Sequence, residues 1–123
     1  MSAADVLTRW FAVMDSDRPE DILEMITPDF RFSIVFATSD GQARDFAGGR
    51  EAMQGYLAQR EKSVLTHHVL SSATVGSDEL VLGQARRGEA FESTFVAAAR
   101  LDEAGKVASL MIGRSPALDI SAL

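Results

Sequence analysis

The chain of 123 residues contains no cysteine, so disulfides, thiolate nucleophiles and zinc ribbons are excluded. Clustered basic charge is missing as well. Its 12 Lys and Arg are scattered against 18 Asp and Glu, for a net charge of −6; only Arg86 and Arg87 are adjacent. A phosphate backbone is held by clustered cations, so nucleic acid is not an expected partner. No apolar run approaches the roughly 18 residues of a membrane span. The start MSAADVLTRWF has no basic segment followed by an uninterrupted apolar core, so neither a membrane partner nor a signal peptide is expected, and the location expected is cytoplasmic. The glycine pair at 48–49 lacks the spaced glycines and the lysine of a phosphate loop. Histidine is scarce, with two residues side by side.

What is present describes a soluble globular protein, 46% hydrophobic and 24% charged. Its length suits one domain over residues 1–123 with a single core. Ser2 is placed to cap a first helix in which Ala3, Val6, Leu7, Trp10, Val13 and Met14 form one apolar stripe. After DSDRPED, a short second helix buries Ile22, Leu23, Met25 and Ile26 and ends at Thr27-Pro28. FRFSIVFA (30–37) reads as a strand, TSDGQ as a reversal and ARDFAGG as a weak returning strand. REAMQGYLAQREK (50–62) is a third helix with Ala52, Met53, Tyr56 and Leu57 inward. The remainder is strand: 64–75, 79–87, 91–101 and 106–115, joined by tight turns into an antiparallel meander. The fold class expected is α+β, with three helices in the N-terminal half packed on one face of a curved antiparallel sheet.

THHVLSS (66–72) falls in the first strand of the meander, where successive side chains point to opposite faces. Thr66, His68, Leu70, Ser72 and Thr74 share one face; His67, Val69, Ser71, Ala73 and Val75 share the other. Hydrophobicity alone sends the His67 set to the core. Two histidines that diverge in this way make a poor metal site, and no metal or other cofactor is expected.

The order helix–helix–strand(–strand)–helix followed by four strands resembles the nuclear-transport-factor-2-like family, also called cystatin-like or, in its bacterial enzyme branch, SnoaL-like. The likeness runs from LTRWFAVMDSDRPEDILEMITPDFRF through GGREAMQGYL and THHVLSSATV to GKVASLMIGRSP. It implies a cone, open at one end, with an apolar cavity between sheet and helices that holds a small hydrophobic molecule. It also implies a homodimer through the convex side of the sheet. THHVL is similar to a dehydratase-like stretch whose histidine enters the cavity, and that position is His68. The resemblance therefore opposes the reading from hydrophobicity, and both histidines stay open. MDSDRPED is similar to the dehydratase pattern in which an acid ending the first helix faces that histidine, here Asp15. The alternative for Asp15 is an acidic, solvated turn.

The departures are equally specific. The dehydratase tyrosines fall on Met14 and Ile34, and its second histidine has no counterpart. The ketosteroid-isomerase tyrosine falls on Trp10 and its base on Ile34. Candidate cavity walls are Trp10, Met14, Phe32, Ile34, Tyr56, Phe95 and Met111, with Ser72 on the His68 face; ordinary core is the alternative for most of them. Arg86 is a candidate anion-binding residue, or else the exposed end of a strand. Arg100 and Arg114 are read as surface. Two functions follow. The first is a cofactor-free lyase, isomerase or cyclase acting on a hydrophobic carbonyl compound, with His68 and Asp15 catalytic. The second is a non-catalytic dimer that binds an apolar ligand or a protein partner.

Overall fold

Leu7, Trp10, Phe11 and Met14, three or four residues apart, are the buried face of helix α1 (Asp5–Met14). The structure is a computed structural model that describes residues 3–37, 43–59 and 65–122; the Ser2 cap and the 38–42 reversal lie outside them. Ala4 takes the N-cap position without a side-chain bond. The free donors of the first turn are met from the sheet instead. The carboxylate of Glu79, 4% exposed, accepts the N–H groups of Val6 and Leu7 at 3.2 and 2.7 Å.

The second helix is a single six-residue stretch of 3-10 helix, Pro19–Glu24. Strand β1 (Ile26–Ala37) then begins at Ile26 rather than Phe30, because Thr27 precedes proline and is held extended. Strand β2 (Ala43–Gly48) and helix α2 (Arg50–Gln59) follow. The meander is β3 (Leu65–Val75), β4 (Asp78–Arg87), β5 (Ala90–Leu101) and β6 (Val107–Ser115). All six strands form one sheet in the order β2-β1-β6-β5-β4-β3. The α+β class stands, with one correction to the pairing: β1 and β6 run parallel while every other neighbour is antiparallel.

Strand alternation divides the sheet into two faces. Phe32, Ile34, Val81, Phe95, Ala97, Leu110 and Ile112 are buried beneath the helices. Val35, Leu80, Val96 and Met111 point to the convex side and are 44–59% exposed. Met111, expected in the cavity wall, therefore lies on the opposite face from its neighbours Leu110 and Ile112. No helix among the described residues is long and apolar enough to cross a membrane.

Strand β3 breaks the alternation. His67 pairs with Ala85 and Val69 with Gly83, but Ser72 pairs with Val81 and Thr74 with Glu79. Leu70 is the extra residue of a β-bulge, and the parity of inward residues changes across it. The concave set is therefore His67, Val69, Ser72 and Thr74. Neither of the two strictly alternating sets survives.

Candidate active site

Helix α1 is tied to the β3–β4 hairpin at both ends. At its start, Ser72 Oγ accepts from the Ala4 N–H at 3.1 Å and Thr74 Oγ1 donates to the Ala3 carbonyl at 2.9 Å, beside the Glu79 contacts. At its end, Asp15 occupies the C-cap, a poor place for a carboxylate because the last carbonyls carry partial negative charge. Two donors from one residue hold it there. The His67 backbone N–H donates to Asp15 Oδ2 at 2.6 Å, and His67 Nδ1 lies 2.6 Å from Oδ1.

His67, not His68, is thus the interior histidine, with its side chain 1% exposed. Its Nε2 is 3.0 Å from an Arg114 terminal nitrogen. A guanidinium has donors only, so Nε2 accepts and the ring proton sits on Nδ1, donated to Asp15. The Phe11 ring stacks on the imidazole at 5.0 Å and Phe95 meets it edge-on at 5.6 Å. The Phe95 ring fits because residue 83 is glycine: a Cβ there would stand 2.3 Å from Phe95 Cζ. The result is a polar chain, Asp15–His67–Arg114, laid through an aromatic interior.

Beside it is a cavity of about 10 Å³ lined by Trp10, Phe11, Met14, Ile34, Met53, Tyr56, His67, Ile112 and Arg114. That is room for one water rather than for an organic molecule. Of the expected site residues, the structure brings together Trp10, Met14, Ile34 and Tyr56 here, with Asp15 on His67 and Phe95 beneath it. Phe32 stands one ring further out, 6.5 Å from Tyr56. Ser72 is concave but engaged with the start of α1. His68 and Arg86 are corrections. His68 faces the convex side, its Nε2 2.8 Å from Thr66 Oγ1. Arg86 shares that face and donates to Gln84 Oε1 at 2.6 Å.

Sequence reasoning missed Phe11, Met53 as a site wall, Ile112 and Arg114. Arg114 carried a usable signal: it continues the inward parity of Leu110 and Ile112 along β6. Arg100, by contrast, is on the surface, in an exposed pair with Asp78. A second hollow, about 430 Å³, lies on the convex face between Leu80, Leu82, Val96, Ala98 and Met111. Serines are its only polar side chains and no acid or base lines it. Among the described residues no three His, Asp or Glu side chains converge as a metal site.

No family model and no curated protein matches this chain. Solved structures do. A candidate ketosteroid isomerase from Kribbella flavida superposes with a TM-score of 0.68 at 12% identity, over 94% of this chain and 79% of that one. A candidate polyketide cyclase from Sinorhizobium meliloti gives 0.61 at 19% identity, over 88% and 93%. A protein of ketosteroid isomerase-like fold from Catenulispora acidiphila, solved with trimethylamine, gives 0.65 at 12% identity, over 90% and 85%. At such identities the likeness is one of fold, and the fold is nuclear-transport-factor-2-like, also called cystatin-like.

Proposed function

We propose that this protein is a cofactor-free acid–base enzyme of the isomerase, cyclase or lyase type, working on a small, largely apolar carbonyl compound. His67 is its base and Asp15 the residue that positions it. One observation carries the reading: an imidazole fixed in a single tautomer by a carboxylate, its other nitrogen accepting from Arg114, beside a small lined cavity in an apolar interior. In the reaction, a C–H bond next to the substrate carbonyl breaks. Its proton goes to His67 Nε2, once Arg114 has released that nitrogen, and its electron pair moves onto the carbonyl oxygen. Asp15 balances the imidazolium, and the proton returns to carbon or to a departing hydroxyl.

A substrate enters only if the wall yields. Helix α2 is the weaker wall, since Met53 is its one buried residue where α1 has four. The test is deuterium incorporation from D₂O into small cyclic enones and 1,3-diketones, followed by NMR. Wild type is expected to accelerate exchange, and His67→Gln to lose roughly 10²- to 10⁴-fold of that rate. Equal rates for the two proteins reject the enzyme.

The small cavity favours a second reading, a dimeric module that holds an apolar ligand or a protein partner without catalysis. Under both readings the convex faces of two copies meet, and the protein works in the cytoplasm. Native mass spectrometry showing a dimer with no bound ligand, together with no exchange activity, selects the second.

A further inference from the structure

In the resting site an Arg114 terminal nitrogen stands 3.0 Å from the base, His67 Nε2. The proposed reaction pushes an electron pair onto a carbonyl oxygen, and that oxygen needs a donor within the same cavity. The C–H that breaks and the C=O that receives the pair are on adjacent carbons. A substrate whose C–H meets Nε2 therefore brings its oxygen within a few ångströms of that nitrogen, where the guanidinium already stands. Arg114 is half-buried on β6, between Phe36 of β1 and Phe95 of β5 in the sheet register. Its backbone is fixed there, so only the side chain has to move. A guanidinium carries five N–H donors, and one of them can pass from nitrogen to oxygen while the others keep their partners. Trp10 and Tyr56 also line the cavity and carry an N–H and an O–H. Both are neutral, and a permanent charge does more for a developing oxyanion.

We propose that Arg114 is the electrophile of the reaction: its guanidinium leaves His67 Nε2 for the substrate's carbonyl oxygen, so that uncovering the base and polarising the carbonyl are one side-chain movement. This rests on the acid–base reading of the site and adds a second catalytic residue to it. His67 stays neutral while the substrate binds, and Nε2 gains a proton only when the C–H bond breaks. The pair from that bond becomes the C=C bond of an enolate, and the C=O pair moves to oxygen. Arg114 donates to that oxygen without giving up a proton. Reprotonation at carbon restores Nε2, and the guanidinium returns to it. The substrate class that fits is a neutral, enolisable ketone, whose oxygen draws the guanidinium most strongly once charge develops on it.

Cyclohexenone is the probe, its deuterium uptake from D₂O followed by NMR with kcat and KM separated. Arg114→Gln is expected to lower kcat by about 10²- to 10³-fold, the usual loss for one oxyanion donor, with a smaller effect on KM. Arg114→Lys keeps the charge and is expected to recover part of the rate, which guards against a merely unfolded Gln variant. Imidazole ¹⁵N shifts are expected to show the same His67 tautomer in both variants, because Asp15 still holds the Nδ1–H. An unchanged or faster rate in a folded Arg114→Gln protein means that Arg114 only covers the base, and overturns the inference. So does an altered tautomer in Arg114→Gln with no recovery in Arg114→Lys, for then the arginine only positions the ring. A larger loss in Tyr56→Phe than in Arg114→Gln moves the donor to Tyr56 and overturns it as well. The acid–base reading fails with a different signature, equal exchange by wild type and His67→Gln, and the electrophile falls with it.

Discussion

Asp15 accepts from two donors of one residue, and an asparagine of the same shape cannot. Its single carbonyl oxygen serves either the His67 backbone N–H or the Nδ1–H, and its NH₂ then confronts the other donor. The ring escapes by moving its proton to Nε2, where it meets the N–H of Arg114. Asp15→Asn is therefore expected to lower stability by about 1–3 kcal/mol in urea unfolding and to change the tautomer read from the imidazole ¹⁵N shifts. An unchanged spectrum with unchanged stability would remove Asp15 from the site. Gly83 acts on the same ring from below. An added methyl would lie 2.3 Å from Phe95 Cζ and 2.9 Å from the His68 carbonyl, and neither ring nor strand can retreat freely. Gly83→Ala is expected to cost about 1–3 kcal/mol by overpacking and to shift the His67 ring resonances, since Phe95 is the edge against which that ring rests. His68→Ala, on the far face, is the matching control: a stability change within about 0.5 kcal/mol and intact proton exchange.

At the scale of elements, the β3 bulge explains why one helix is held at both ends by one strand. His67 is odd-numbered and Ser72 and Thr74 are even, so a regular strand could present only one of the two contacts to α1. Leu70 reconciles them. Deleting Leu70 is expected to break either the Asp15 contact or the Ala3–Ala4 contacts, at a cost of about 2–3 kcal/mol for the lost hydrogen bonds, measured by denaturant titration. The strands themselves were legible, because β-branched and aromatic runs between the Gly-Ser-Asp, Gly-Glu and Asp-Glu-Ala-Gly turns leave few other choices. The bulge was not, since no residue in HVLSS demands one, and with it went the correct inward set. Hydrophobicity chose His67 rightly from Val69, yet failed for Ala73 and Val75, which lie beyond the bulge. Arg114 escaped notice because a charged strand end is usually solvated, although its parity with Ile112 pointed inward. Further out, Arg100 donates two N–H groups to the Asp78 carboxylate at 2.8 and 3.0 Å, joining β5 to β4. That hydrogen bonding, with the charge attraction adding to it, holds Asp78 below the usual carboxylate range. The folded value is the lower one, so the pair's contribution is present above the unfolded pKa of about 3.9. It is lost as pH falls through the folded value. Asp78→Asn is expected to leave the neutral-pH urea midpoint nearly unchanged, as the pair is exposed and screened, and to make the midpoint's decline in acid shallower.

For the whole molecule, the sheet separates two jobs. Its concave face carries the half-buried Asp15–His67–Arg114 chain, while its convex face shows Leu80, Val96 and Met111 around an open apolar hollow. Contiguous exposed apolar surface marks a place where something binds, and a two-fold partner can cover it with the same surface. Val96 stands near the middle of this face on β5, 55% exposed, so a charge there costs the isolated fold little. In a dimer the same charge would be desolvated against apolar side chains, at several kcal/mol. Val96→Glu is accordingly expected to turn a dimer into a folded monomer in sedimentation velocity, with the circular dichroism spectrum retained. The site lies across the sheet, so the monomer should keep its deuterium exchange rate. If wild type already sediments as a monomer, the convex face is not a dimer interface. If instead Val96→Glu abolishes exchange while remaining folded, the two faces are coupled through β5, whose Phe95 is the next residue and the one that supports His67.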